Sequence, residues 1–122
     1  MPKLIAITFL YADDSLFFRN GKNYDNVMSE LQSDLEKLSI WWSFNKLSVN
    51  AKKCETIQFG KPKLMKKISK KKLKMSIIEI ENKPCIKYLG VKFDDNLNFE
   101  TNCKDMIQKL YEKLYYYRRI VK

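Results

Sequence analysis

From Leu4 to Tyr11 the apolar residues are nearly continuous. Ile5, Ile7, Phe9 and Tyr11 form one alternating set and Leu4, Ala6, Thr8 and Leu10 the other. A strand covered on both faces gives this pattern, as at the centre of a sheet with helices behind it. Asp13 and Asp14 break the run as a turn, and Ser15 to Phe18 read as the returning strand, so the expectation is a short β-hairpin with two carboxylates at its tip. Asn20-Gly21 supplies a second turn.

Between about Tyr24 and Leu47 the period becomes helical. Val27, Leu31, Leu35, Leu38 and Trp42 recur at spacings of four, four, three and four, and Met28, Ile40, Trp41 and Phe44 widen the stripe. Glu30, Asp34, Glu36 and Lys37 lie off it. This helix is expected to cover one face of the hairpin, with both tryptophans in core packing. Glu55 to Phe59 alternates as a further strand closed by Gly60, and Asn50 to Cys54 (NAKKC) forms a tight connection before it.

Lys61 to Lys74 (KPKLMKKISKKKLK) holds eight lysines and no acid. It reads as a solvated connector, with Leu64, Met65 and Ile68 able to form one short amphipathic turn. Met75 to Ile80, a turn at Glu81 to Pro84, and Cys85 to Phe93 read as a second hairpin. Asp94-Asp95-Asn96 is a plain loop, to which no metal is assigned. A helix follows from about Glu100, with Asn98 or Thr101 as its cap and Cys103, Met106, Ile107, Leu110, Leu114 and Tyr117 as its stripe. The fold class is therefore α+β, with expected divisions at 1–60, 61–75 and 76–122.

Charge sharpens this division. The 122 residues carry a formal net charge of +10, yet residues 1 to 60 hold seven basic and seven acidic side chains, against seventeen and seven in residues 61 to 122. The whole excess lies in the second half, which favours a polyanionic partner, nucleic acid before membrane surface. Lys66, Lys67, Lys70, Lys71, Lys72 and Lys74, with Arg118 and Arg119, are the candidate contacts. Tyr111, Tyr115 and Tyr116 beside those arginines read equally as bases for stacking or as a helix face awaiting another domain.

The chain has no histidine, which removes His-based triads, imidazole acid/base work and the common zinc centres. Its three cysteines, Cys54, Cys85 and Cys103, are odd in number and far apart, so a reduced, intracellular chain is expected rather than a disulfide framework. The apolar N-terminus is interrupted at Asp13 and has no small-residue cleavage site, so it does not read as a signal peptide. No run of eighteen apolar residues exists, and a membrane span is not expected.

Two adjacent carboxylates between strands are either an ordinary solvated turn or a site that expects a cation. Magnesium and manganese suit the second case, since such ions take hard oxygen ligands and draw only one or two carboxylates from protein. The wider context bears on the choice. LYADDSLFF resembles the YADD motif of reverse transcriptases. The segments that follow it in order, WWSFNKLSVNAKKCETIQFG and IKYLGVKFDDNLNFETNCKDMIQKL, resemble those of non-LTR retrotransposon enzymes of the LINE and jockey-like kind. The likeness spans almost the whole chain.

The resemblance implies a partial polymerase palm, a primer-grip hairpin and the start of a thumb helix, acting in RNA-directed DNA synthesis. It implies that Asp13 is a metal ligand, that Asp14 has a supporting metal or electrostatic role, and that Tyr11 and Ala12 lie near the primer end and incoming nucleotide. Lys53 falls where the family has a lysine in N-x-x-K counted from Asn50, to protonate departing pyrophosphate or hold its charge. A solvated turn lysine is the other reading, and Lys52 beside it leaves the position ambiguous. Tyr88, Leu89 and Gly90 correspond to the primer grip, with Gly90 allowing close backbone approach and Leu89 read as core.

The implied cofactor is Mg2+ or Mn2+, and the implied partners are an RNA template, a DNA primer and deoxynucleoside triphosphates. Nuclear location rests on the family alone. In that family a further aspartate, on an earlier strand, and finger elements precede YADD, whereas ten residues precede Tyr11 here and none is acidic. The missing N-terminal fingers and palm region is thus an expected partner, and the chain alone is expected to be inactive. The alternative is a non-catalytic remnant that holds nucleic acid through its lysines and C-terminal helix.

Overall fold

The computed structural model describes residues 1–68 and 70–121; Ser69, within the lysine-rich run, and Lys122 lie outside the described residues. The fold is mixed α+β, made of small strand pairs and helices. The chain divides into two compact units, one of residues 1–56 and 70–81, the other of residues 57–69 and 82–122.

In the first unit β1 (Ile7–Tyr11) and β2 (Asp14–Phe18) pair antiparallel from Ile7 opposite Phe18 to Tyr11 opposite Asp14. The turn is therefore Ala12-Asp13, one residue earlier than the sequence suggests, and Asp14 is the first residue of the returning strand. Ala12 carries φ of 50°, a left-handed conformation that costs any residue with a Cβ. The expected burial on both faces is not met within this chain. Ile7, Phe9, Leu10 and Tyr11 are all more than half exposed, because a two-stranded ribbon has no neighbouring strands to cover it.

Helix α1 (Tyr24–Phe44) forms where the 3.6-residue stripe predicts it. Its start is fixed by Asn23, whose side-chain oxygen accepts the Asn26 N–H at 3.2 Å. Its end is a Schellman arrangement, with Lys46 N–H donating to the Ser43 carbonyl at 3.1 Å and Leu47 N–H to that of Trp42 at 2.8 Å. That closure needs a left-handed residue, and Lys46 supplies it at φ 57°.

Met28 and Leu35 of α1 join Ala51, Leu73, Met75 and Ile80 in the core, with Tyr24, Leu31, Trp42 and Cys54 packed against it. The helix thus packs on β4 (Lys74–Met75), which pairs antiparallel with β5 (Ile78–Glu79); β3 (Glu55–Thr56) and α2 (Pro62–Lys67) precede both in chain order. The apolar pattern instead predicts a hairpin joining Met75 to Ile80 with Cys85 to Phe93, not this pair. Its turn, Ser76-Ile77, closes through Ser76 at φ 57°, so the chain turns five residues before Glu81, where the Pro-containing segment predicts it. Leu73 and Met75 are buried although lysines flank them, which anchors the end of the lysine run in the core. Residues β6 (Glu81–Asn82) carry the chain from the first unit to the second.

In the second unit, β7 (Cys85–Tyr88) and β8 (Val91–Asp94) form a register-matched hairpin, from Cys85 opposite Asp94 to Tyr88 opposite Val91. Helix α3 (Glu100–Ile120) follows. Its N-cap is neither Asn98 nor Thr101 but Phe99, at φ 56°; Asn98, one residue earlier, accepts the Glu100 N–H at 3.1 Å, and Asp94 accepts both the hydroxyl of Thr101 at 2.8 Å and its N–H at 3.4 Å. The first turns of α3 are tied to β8 by Lys92, whose N–H donates to the Asn102 side chain at 3.0 Å and whose ammonium meets Asp105 at 3.2 Å. Phe93 and Phe99 meet edge to face at 5.5 Å between centroids. Beyond this attachment no residue of α3 is buried.

Candidate metal-binding hairpin

The pairing of β1 with β2 decides where the two aspartates point. Directly opposed residues share a face, so Asp14 lies on the same face as Tyr11, Phe9, Leu16, Ile7 and Phe18, and Thr8, Leu10, Ser15 and Phe17 form the other. Asp13 is at the turn itself. Both carboxylates are exposed, and among the described residues neither is ion-paired. Two free carboxylates on adjacent residues supply hard oxygen donors of the number a magnesium-type ion takes from protein, the rest coming from water and phosphate. The donor set fits such an ion in part. No group of three or more metal-ligating side chains is gathered among the described residues.

What positions this tip is a pair of acids that lie off the apolar stripe of α1. Asp34 is 2% exposed. Its Oδ2 accepts the N–H of Ile5 at 2.8 Å and that of Ala6 at 2.7 Å, just before β1 begins. Its other oxygen has no hydrogen-bond partner and lies 3.5 Å from the Lys37 ammonium. One helical turn earlier, Glu30 takes the guanidinium of Arg19, the residue just after β2. That hydrogen bond is the chief reason the Arg19 pKa rises above its ordinary value.

Both legs of the hairpin are thus held by carboxylates spaced i and i+4 on α1. The helix secures the base of the hairpin rather than covering its face. The one sequence signal for this was the spacing of Glu30 and Asp34, which places them side by side. Because Leu31 and Leu35 alternate with them, the same turns of helix carry the core and the clamp.

Lys53 ends a short 3-10 turn, Ala51–Lys53, that Asn50 closes. The Asn50 side chain accepts the Lys52 N–H at 3.1 Å, and its carbonyl accepts the Lys53 N–H at 3.0 Å. Ala51 is buried beneath the turn, which leaves both lysines exposed; neither is hydrogen-bonded through its side chain to the aspartate pair among the described residues.

Leu89 and Gly90 make the β7–β8 turn, and Tyr88 ends β7 opposite Val91. Leu89 is exposed at 49%, so it is not core, and its φ of 48° is left-handed. Gly90 has φ of 83°, and a Cβ there would meet nothing within 4 Å. Within this chain, glycine serves the turn's conformation, since two consecutive positive φ values are what a type I′ hairpin requires.

The lysine run splits. Lys66 and Lys67 sit exposed in the last turn of α2, and Lys70 is exposed as well. Lys71 meets Asp25 at 2.6 Å while its N–H donates to the Tyr24 hydroxyl at 2.7 Å, and Lys72 meets Glu79 at 3.3 Å. The backbone of Lys74 is bracketed by the Gln32 amide, which accepts its N–H at 2.9 Å and donates to its carbonyl at 3.0 Å. The second half of the run is therefore part of the first unit, not a solvated strand of chain. At the other end Arg118 and Arg119 are exposed, and the Arg119 guanidinium lies 5.9 Å from the Tyr115 ring centroid.

No helix of the described residues is long and apolar enough to cross a membrane. Comparison of the chain with protein families, with curated proteins and with solved structures gives no match.

Proposed function

We propose that this chain is the segment of an RNA-directed DNA polymerase, of the non-LTR retrotransposon kind, that carries the YADD motif and the primer-grip turn. The reading rests on one observation above others. Tyr11-Ala12-Asp13-Asp14 forms a hairpin tip with both carboxylates exposed and, among the described residues, without an ion-pair partner, held at its base by α1. On this reading the surrounding fold is the end of a polymerase palm, and α3 begins a thumb.

Asp13 and Asp14 would hold Mg2+ or Mn2+, with a further carboxylate supplied elsewhere in the polymerase. Such ions, when bound, stabilise the attacking and leaving oxygens of nucleotidyl transfer. Ala12 leaves room beside the nucleotide, and Tyr11, on the face of Asp14, offers a ring to it. Lys53 meets the charge of departing pyrophosphate, and Tyr88 to Gly90 meet the primer. RNA template, DNA primer and deoxynucleoside triphosphates are the partners, and activity requires the rest of the polymerase.

Manganese broadening of amide NMR signals tests this at the chain as it stands. In the presence of a deoxynucleoside triphosphate, Mn2+ at low occupancy should broaden Ala12 to Ser15 first, and Asp13→Asn should remove that selectivity. Broadening that is the same in both proteins, or that centres on Asp94 and Asp95, overturns the proposal.

A second reading, a remnant that only holds nucleic acid, is favoured by the exposed Lys66, Lys67, Lys70, Arg118 and Arg119. It predicts duplex affinity that falls steeply with salt and a slope that flattens when those lysines are replaced. It also predicts indifference to Asp13→Asn.

A further inference from the structure

Helix α3 carries a second pattern besides its amphipathic stripe. Cys103, Ile107, Leu110, Leu114 and Tyr117 recur at spacings of four, three, four and three, the heptad seam of a coiled coil. All five are exposed. The attachment of α3 to β8 leaves the seam open, because it uses Asn102 and Asp105, which lie on another side of the helix. At 21 residues the helix offers three heptads, about 30 Å of seam.

The charges beside the seam say what would cover it. In this register the flanking positions are Lys104, Met106, Tyr111, Lys113, Arg118 and Ile120, with no acid among them. The acids Asp105 and Glu112 sit on the outer side, where Asp105 meets Lys92 and Lys109. Lys104 is met by Glu100 at 2.7 Å, whereas Lys113 and Arg118 have no carboxylate partner among the described residues. A second copy of this helix, parallel or antiparallel, would set basic flank against basic flank. A continuous apolar seam is also more than phosphate contacts require.

We infer that α3 is one strand of a heterotypic coiled coil whose partner is an amphipathic helix with apolar seam residues and acidic flanks. The partner's glutamates or aspartates pair with Lys113 and Arg118, and its aliphatic side chains pack on Ile107, Leu110 and Leu114. This inference stands independently of the polymerase reading, and its failure leaves that reading untouched.

Two synthetic 21-residue helical peptides test it on the full chain by calorimetric titration. Both carry leucine at every seam position; one has glutamate at all flanking positions and the other lysine. The glutamate peptide should bind at least tenfold more tightly than the lysine peptide. The double variant Lys113→Glu, Arg118→Glu should invert that preference, and Leu110→Ser with Leu114→Ser should abolish binding while the circular dichroism of the chain is kept. Because the inversion is a gain of binding, it remains decisive even if the serine variant loses helix. Equal affinity for both peptides overturns the inference. So does sedimentation that shows the chain pairing with itself through Leu110, or duplex RNA whose binding is lost with Leu110→Ser.

Discussion

The buried carboxylate of Asp34 accepts the backbone N–H of Ala6 at 2.7 Å, and so fixes where β1 begins relative to α1. Replacing it by alanine leaves the buried Ala6 N–H and the part-buried Ile5 N–H without their acceptor. Asp34→Ala should cost about 2 to 4 kcal/mol in denaturant unfolding. Asp34→Asn keeps an acceptor oxygen and should cost roughly half as much. Amide exchange at Ile5 and Ala6 should accelerate in both variants more than exchange along the middle of α1; uniform acceleration would argue against a local clamp.

Ala12 and Gly90 make opposite predictions from the same geometry. Ala12 bears left-handed strain at φ 50°, and relief of that strain by Ala12→Gly exceeds the added chain entropy. The variant should be more stable by roughly 0.5 to 1 kcal/mol. Gly90→Ala introduces a Cβ into open space, so its cost is conformational alone, about 1 kcal/mol. Thermal unfolding of the two variants should therefore move in opposite directions.

Acid should loosen α3 from β8. The Lys109 ammonium first, and Lys92 after it, hold Asp105 below the usual carboxylate range. A carboxyl with a depressed folded pKa contributes stability that is complete above its unfolded value, about 3.9, and is lost as pH falls through the folded one. The attachment should thus be constant above about pH 5 and weaken steadily in stronger acid. The Lys92 and Asn102 amide shifts report it directly, and Asp105→Asn should show the loosened shifts at neutral pH with no further acid step.

Asp94 has two measurable roles. It caps α3 through Thr101, so Asp94→Ala should cost about 1 kcal/mol and fray the first turn. It also acts on Cys85, whose thiol is pushed up by burial and then by the Asp94 charge. Removing that charge lowers the thiol pKa, so more thiolate exists at a given pH, and iodoacetamide should label Cys85 faster in the variant. An unchanged labelling rate would separate the capping role from the electrostatic one.

Much of the architecture can be read from periodicity alone. The hairpin around Ala12-Asp13, the span of α1 and the start of α3 follow from apolar spacing and polar breaks. The separate β4–β5 pair does not, because its turn, Ser76-Ile77, has no Gly, Pro, Asn or Asp to mark it, and tertiary burial of Met75 and Ile80 sets the register instead. Leu89 misleads for a related reason, since an apolar residue in a strand-like run reads as core although backbone geometry puts it at an exposed turn. Asp34 misleads most. A charged residue beside an apolar stripe reads as solvated, and only a backbone segment distant in sequence, Ile5-Ala6, reveals it as an anchor. The aspartate pair was visible as candidate chemistry; the carboxylates that hold its hairpin were not.

The placement of those two anchors makes residues 6 to 19 an exchangeable cassette. Its two ends, the Ala6 amide and the Arg19 guanidinium, lie across from one another beside the Ile7–Phe18 pair, and each is received by a separate carboxylate on one helix. Foreign hairpins of matching register that keep an arginine at the exit should therefore seat on α1 without redesign of the core, and the tip can be varied as a modular part.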